Sequence, residues 1–389
     1  MKYSDMFSKE QIDKFKKLKT PFYYYDVSLL QKTITELKKE SDKRKYHIHY
    51  AVKANANDRI LKIINKNGLG ADCVSGNEVS KSNEIGFDPN KIVFAGVGKS
   101  DEEIKTGLQQ NIFCFNVESS QEIEVINSIA GSMNKIASIA IRVNPNINPK
   151  THHYITTGLE ENKFGINVDD FDQIVKKISS YKNVKLIGLH FHIGSQVTDL
   201  EVYKSLCIRI NEIQKWFVDH NREVKHLNAG GGLGIDYENP DENLIPDFKS
   251  FFRVFEQFLE LQPGQILHFE IGRAIVAQCG SLISKVLFIK EGLNTNFAIL
   301  DAGMTELLRP ALYQSYHKIE NLTSKGKEKR YDVVGPICES SDTFAKSYLL
   351  PETKRGDLIA LRSTGAYGEV MASHYNLRSG IESYFSDQI

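Results

Sequence analysis

The sequence predicts a (β/α)8 barrel of the TIM type joined to a second, mainly antiparallel β domain. Three observations carry this reading. Short apolar runs alternate with amphipathic stretches of helical length from about residue 26 to about residue 275. Strict alternation of strand and helix means βαβ units and a parallel sheet. Eight such units over ~250 residues suit a closed barrel better than an open doubly wound sheet. After about residue 276 the alternation gives way to strand-like runs with Gly-containing turns. The expected domains are therefore 26–275 for the barrel and 276–389, with 1–25 added, for the β-rich part.

In chain order, Thr20–Tyr25 is strand-like and precedes the first barrel helix, which links it to the second domain. The barrel strands are read at His47–Val52, Leu69–Asp72, Ile92–Ala95, Ile112–Phe115, Ile136–Val143, Leu186–His192, His226–Ala229 and Leu267–Glu270. Helical patterns between them include Leu29–Glu40, Arg59–Asn67, Gln121–Ile129, Val168–Ser179, Leu200–Phe217 and Pro246–Leu261. In the second domain, Leu282–Ile289, Phe297–Ala302, Tyr331–Val334 and Leu358–Leu361 read as antiparallel strands.

Composition narrows the function. Lys+Arg and Asp+Glu number 49 each, so nothing points to nucleic acid or an anionic membrane surface. The Lys14, Lys16, Lys17 and Lys19 cluster is interrupted by Phe15 and Leu18 and reads as the solvated face of a short helix. No run approaches the ~18–20 apolar residues of a membrane span, and no signal core follows Met1, so a cytoplasmic location is expected. The cysteines are Cys73, Cys114, Cys207, Cys279 and Cys338, with no CxxC among them. That pattern favours neither a disulfide framework nor a metal site. Four of them read as small core residues; Cys338 lies in a motif taken up below.

Several segments at strand ends carry chemistry, and barrels of this type keep their sites at strand C-terminal ends. Lys53 lies in Tyr50–Asn55, at the end of a short apolar run. A lysine buried at a strand end loses hydration of its charged form and becomes available as a nucleophile toward an aldehyde, as in attachment of pyridoxal phosphate. Taken alone, the segment reads first as a solvated rim lysine. The glycines of Asn228–Gly234 let backbone N–H groups approach an anion, which suits a phosphate; a plain turn is the alternative. In His190–Gln196, His192 is placed to stack on a flat cofactor and Ser195 to donate to phosphate, although each is also an ordinary polar strand-end residue. His190 and His192 are expected on opposite sides of the sheet and make poor co-ligands for one metal; His47 and His49 are given no role. Glu270, in Glu270–Arg273, either pairs with a protonated pyridine nitrogen or forms an ion pair with Arg273. The stretch Thr156–Gly165 reads as a closing lid or as a static loop, and His152 and His153 as exposed loop residues.

Together these segments resemble the alanine-racemase-type (fold III) pyridoxal-phosphate decarboxylases, and within them the diaminopimelate decarboxylase family. Tyr50–Asn55, His190–Gln196, Ala229–Gly234, Glu270–Arg273, Arg309–Tyr313, Gly335–Asp342 and Gly365–Gly368 follow the family's motifs in order. The resemblance implies that Lys53 carries the cofactor covalently and His192 stacks on its ring. It gives Ser195 and Gly230, Gly231 and Gly232 to the phosphate and Glu270 to the ring nitrogen, with Gly272, Arg273 and Tyr367 beside the cofactor. Arg273, Arg309, Tyr313, Glu339 and Tyr367 are implied substrate contacts, and Asp72 and Glu78 supporting residues. Cys338 is the implied proton donor, contributed to the site of a partner subunit in a homodimer. A thiol can supply that proton near neutral pH, with Lys53 as the rival donor and a buried core thiol as the alternative.

The implied reaction is decarboxylation of meso-2,6-diaminopimelate to L-lysine and CO2, the last step of lysine biosynthesis. Relatives act on ornithine, lysine, arginine or carboxynorspermidine, and the distal end of the substrate separates them. Diaminopimelate ends in a carboxylate as well as an ammonium, and a carboxylate is best held by an Arg fork. Arg309 supplies one, unless it is a structural Arg at a turn, and Glu339 can take the ammonium. An amino-acid racemase of the same fold and a barrel-only cofactor-binding protein are the competing classes.

Overall fold

Alternating apolar and amphipathic segments fold as expected from their periods. The computed structural model describes residues 6–147 and 163–389. Residues 156–162 of the lid reading, and His152 and His153, lie outside the described residues.

After α1 (Lys9–Phe15), β1 (Phe22–Tyr25) and α2 (Val27–Lys43), parallel strands alternate with helices. The strands are β2 (His47–Ala51), β3 (Gly70–Cys73), β4 (Ile92–Phe94), β5 (Cys114–Val117), β6 (Ala137–Arg142), β7 (Val184–His190), β8 (His226–Asn228) and β9 (Ile266–Ile271). They close in that order into a barrel, with β9 returning to β2 through the register Ile48↔Phe269 and His49↔Glu270. The intervening helices are α3 (Asp58–Lys66), α4 (Gly76–Ile85), α5 (Asp101–Gln109), α6 (Ser120–Ser132), α7 (Phe171–Ser180), α8 (Leu200–Asp219) and α9 (Phe248–Phe258). Polar residues fix their starts: Asn57, Ser75, Ser100, Ser119, Asp199 and Asp247 each accept a first-turn N–H. The apolar face of α9 shows how such helices stay in place. Phe251, Phe252 and Phe255 meet the Phe269 ring of β9 at centroid distances of 5.6, 5.1 and 4.8 Å.

Strand limits differ from the sequence reading by a residue or two. The largest shifts are in β7, read as Leu186–His192 but formed by Val184–His190, and in β5, read as Ile112–Phe115 but formed by Cys114–Val117. Phe113 donates instead to Pro89 and Ile92 carbonyls in the turn before the strand.

A second sheet follows α10 (Arg273–Val276): β10 (Gly280–Glu291), β11 (Asn296–Leu300), β12 (Ile319–Asn321), β13 (Glu328–Val334), β14 (Thr343–Pro351), β15 (Leu358–Leu361) and β16 (Glu382–Phe385), with α11 (Arg309–Tyr313) between β11 and β12. Its order is β12-β15-β10-β11-β13-β14. Most pairs are antiparallel, but β11 pairs parallel with β13. Strand β1 joins this sheet, antiparallel to β10 and parallel to β16. Its residues Phe22–Tyr25 are buried, and Phe22 and Tyr24 pack with Phe7, Phe15, Ile283, Leu358 and Ala360.

By its internal contacts the chain divides into two compact units: Ile34–Gly234 with Asp247–Gly272, and Met1–Thr33 with Ile235–Pro246 and Arg273–Ile389. The sequence reading left Ile235–Pro246 in the barrel. Its side chains explain the difference. Asp241 pairs with Arg362 at 3.0 Å and with Lys318, and the Asn243 carbonyl accepts from Gln278 at 2.5 Å.

Candidate active site

In the barrel unit, Lys53 sits in a single 3-10 turn, Val52–Ala54, because β2 stops at Ala51. The turn seats against Gly272, where a Cβ would lie 2.9 Å from the Ala54 Cβ and 3.0 Å from the Ala51 Cβ. The sequence reading had Lys53 buried at the strand end. Its side chain is instead 34% exposed, and Nζ stands 3.2 Å from Asp72 Oδ2.

Asp72, one residue before the end of β3, is fully buried, and its Oδ1 has no hydrogen-bond partner. Burial, helped by the like charge of Glu270 and opposed by Lys53, pushes its carboxyl up to about 7. Glu78, at the start of α4, accepts from the Val74 N–H at 2.7 Å, and burial raises it too.

Glu270 is the electrostatic centre of this end. Asn116 and Asn228 donate to Oε1 at 3.0 and 2.7 Å, and His190 Nε2 lies 2.9 Å from Oε2. Burial opposes its ionisation, but His190 and then Lys53 hold the carboxyl well below its usual range. Barrel side chains therefore occupy both oxygens, and Arg273 is not among them. The sequence reading assigned no functional role to Asn116, Asn228 or His190. They lie on three strands far apart in the chain and converge only when the barrel closes, although Asn228 does head the glycine run.

Positions two apart on a strand share a face. The expectation that His190 and His192 face opposite sides is thus wrong in its geometry: both act on Glu270. His192 lies just past the end of β7. Burial, then the Lys53 and Arg142 cations, push its imidazole well below the ordinary value.

The loops carrying Ser195 and Gly230–Gly232 lie side by side. Val197 N–H donates to the Gly232 carbonyl at 2.8 Å, and Gly234 N–H returns to Val197 O at 3.0 Å. Glycine is required here: φ is +72° at Gly230 and +95° at Gly232, and a Cβ on Gly231 would fall 1.8 Å from the Glu270 carbonyl oxygen. Asn228 Oδ1 accepts from the Gly230 N–H at 2.9 Å, so one side chain braces both the loop and Glu270.

In the β-rich unit, Arg273, Arg309 and Tyr367 form a cluster with Tyr237. Arg273 Nη1 donates to the Tyr237 hydroxyl at 2.5 Å, and its guanidinium lies 4.8 Å from the Tyr367 ring centroid. The Arg309 guanidinium stands 5.0 Å from the Tyr237 ring, with Nη1 2.9 Å from His317 Nε2. Tyr367 holds φ at +57°, a conformation tolerated where surrounding structure over-determines it. Tyr313 closes α11 half-buried. Cys338 and Glu339 have separate partners. The Cys338 N–H donates to Asn376 Oδ1, and Glu339 accepts from the Tyr375 hydroxyl. Both are exposed on a loop tied down by Asp342, whose carboxylate accepts from the Met304 and Ile337 N–H groups. The other four cysteines are buried.

The profile of the pyridoxal binding domain of pyridoxal-dependent decarboxylases matches residues 27–277. A diaminopimelate decarboxylase of Bacteroides thetaiotaomicron is 57% identical over 97% of this chain and 98% of its own length. The chain belongs to the diaminopimelate decarboxylase family. Another member, from Helicobacter pylori, is 42% identical over 96% of this chain and 91% of its own. The crystal structure of an H. pylori diaminopimelate decarboxylase complexed with L-lysine superposes with a TM-score of 0.91 at 40% identity, covering 96% of this chain and 93% of that one. The fold is the barrel-plus-sheet fold of this family, whose cofactor is pyridoxal phosphate.

The residues present fit that cofactor. Side by side stand an exposed-tip lysine, an ionised carboxylate with one donor on Oε2, an orphaned Asp72 Oδ1 and a glycine cradle that a Cβ would obstruct. This donor set suits an aldehyde, a ring N–H and a phosphate. Among the described residues, no group of three metal-ligating side chains occurs and no helix is long and apolar enough to cross a membrane.

Proposed function

We propose that this chain converts meso-2,6-diaminopimelate to L-lysine and CO2, using pyridoxal 5'-phosphate. The observation that carries the reading is Lys53 beside a buried acidic group, Asp72 and Glu270, at the C-terminal end of a closed barrel. The 57% identical relative of that name supports the substrate.

Bound pyridoxal phosphate supplies an electron sink for the pair left at Cα when CO2 departs. Lys53 anchors it through Nζ. Glu270, kept ionised by His190, Asn116 and Asn228, holds a proton at the ring nitrogen. His192, held neutral, would stack on the ring of the bound cofactor. Ser195 and the N–H groups of Gly230–Gly232 hold the phosphate, and Gly272 keeps the Lys53 turn in register. Arg309, Arg273, Tyr313 and Tyr367 bind substrate carboxylate and position its reacting end. The partner subunit's Cys338 returns a proton to Cα, and the partner subunit's Glu339 takes the distal ammonium, so the active form is a homodimer of the cytoplasm. Exposure of Cys338 and Glu339 in the single chain supports that assignment.

The decisive assay measures CO2 release from meso-diaminopimelate alongside the stereoisomers that remain, resolved by chiral chromatography. Racemisation without CO2 rejects the reading, as does equal turnover of ornithine or lysine. Arg309→Ala should lower kcat/KM by the worth of one or two charge-assisted hydrogen bonds, roughly 1.5–3 kcal/mol each. Cys338→Ala should keep the cofactor and lose decarboxylation; full activity removes Cys338 from the mechanism.

A further inference from the structure

We propose that Tyr237 and His317 are positioning residues that lock Arg273 and Arg309 into one carboxylate-binding fork. The inference rests on the reading above, in which these arginines meet a substrate carboxylate.

Two guanidiniums gathered around one phenol repel each other, and both are nearly buried, at 6% and 5% exposure. Arg309 forms no ion pair with a carboxylate among the described residues. Its partners there are Tyr237 and His317. Something must therefore hold the pair together between ligands. Tyr237 stands between them, bonded to Arg273 Nη1 at 2.5 Å and lying under Arg309. Burial works against ionisation of its phenol, but the two cations outweigh it and hold it below the usual value. The oxygen thus presents enhanced negative character to both arginines.

His317 fixes Arg309 through its tautomer. Its Nδ1 is 2.9 Å from the Arg362 carbonyl, which can only accept, so Nδ1 carries the proton. Nε2 is then a lone-pair acceptor, and Arg309 Nη1 donates to it at 2.9 Å. A second proton on the ring would face an N–H with an N–H. Burial, then Arg309, push the imidazole down to about 3, so the acceptor survives at working pH. Neither residue was visible as functional in the sequence. Tyr237 lies just beyond the glycine run, and His317 four residues past the Arg309–Tyr313 motif.

The test compares two ligands of the cofactor-loaded protein by calorimetry: L-lysine, which keeps the carboxylate, and 1,5-diaminopentane, which lacks it. Wild type should prefer L-lysine. Tyr237→Phe, which keeps the ring, and His317→Leu should each reduce that preference roughly tenfold by weakening L-lysine alone. His317→Gln, which restores an acceptor near Nε2, should recover most of it. Should His317→Leu fail to fold, Tyr237→Phe and His317→Gln decide between them. Variants that keep the wild-type preference, or that weaken both ligands equally, overturn the proposal. A wild type that binds both ligands equally overturns the carboxylate reading itself, a different and separately recognisable result.

Discussion

Strand β9 carries His268 and Glu270 two residues apart, and the barrel layers around them are built on opposite electrostatic principles. Around Glu270, donors from Asn116, Asn228 and His190 converge on one ionised carboxylate. Around His268 the hydrogen bonds join a relay of rings that burial keeps neutral. His49 Nδ1 lies 2.9 Å from the Lys91 carbonyl, His49 Nε2 2.9 Å from His268 Nδ1, and His268 Nε2 2.9 Å from His226 Nδ1. The carbonyl fixes the first proton on His49, and each ring must then accept on one nitrogen and donate from the other. One further proton would set two N–H groups against each other. The lesson is that the same burial serves chemistry where a charge is retained and serves stability where every charge is refused. It also accords with the division of barrels into a functional C-terminal end and a structural N-terminal end.

The sharpest break between the layers is at Lys53. Lys53→Ala should abolish CO2 release and the cofactor's borohydride-sensitive absorbance while the melting temperature stays near wild type; retained turnover would dissolve the distinction. Glu270→Gln keeps the shape and removes the charge. It should reduce kcat roughly hundredfold, as loss of a preorganised electrostatic group does, with folding little changed. His268→Leu is the mirror experiment. It strands His49 Nε2 and His226 Nδ1, at about 1–3 kcal/mol for each orphaned buried group, and urea denaturation should show that loss with kcat/KM nearly intact. A selective loss of activity instead would mean the lower layer serves the reaction.

The smallest effect is the pH response of the neutral layer. Burial lowers His49 to about 4 in the fold from the ordinary 6.5. The unfolded chain therefore takes up the proton first as pH falls. Stability is full above about 6.5, declines by about 1.4 kcal/mol per pH unit for this group, and levels off below about 4. Urea midpoints measured across that window should trace the decline, and His49→Gln should flatten it. A slope unchanged by that substitution would place the acid sensitivity elsewhere.

Much of this was legible in the sequence because the signals are local. Periodicity exposed the alternating strands and helices, and the glycine run and Lys53 motif marked strand ends. What stayed hidden depends on closure. Asn116, His190 and Asn228 are unremarkable singly, and only the barrel brings them to one carboxylate. His49 seemed to have no role because its partners, Lys91, His226 and His268, are remote in the chain. The partial exposure of Lys53 followed from a turn beginning one residue earlier than the apolar run suggested.

Strand β1 pairs with both β10 and β16, Phe22 facing Ile283 on one side and Glu382 on the other. During synthesis from the N-terminus, those aromatic residues wait unpaired for β10, and their second edge stays open until β16 has been made. A ribosome stalled between the two would thus release a chain whose β1 keeps one open edge, a natural foothold for chaperones and for self-association.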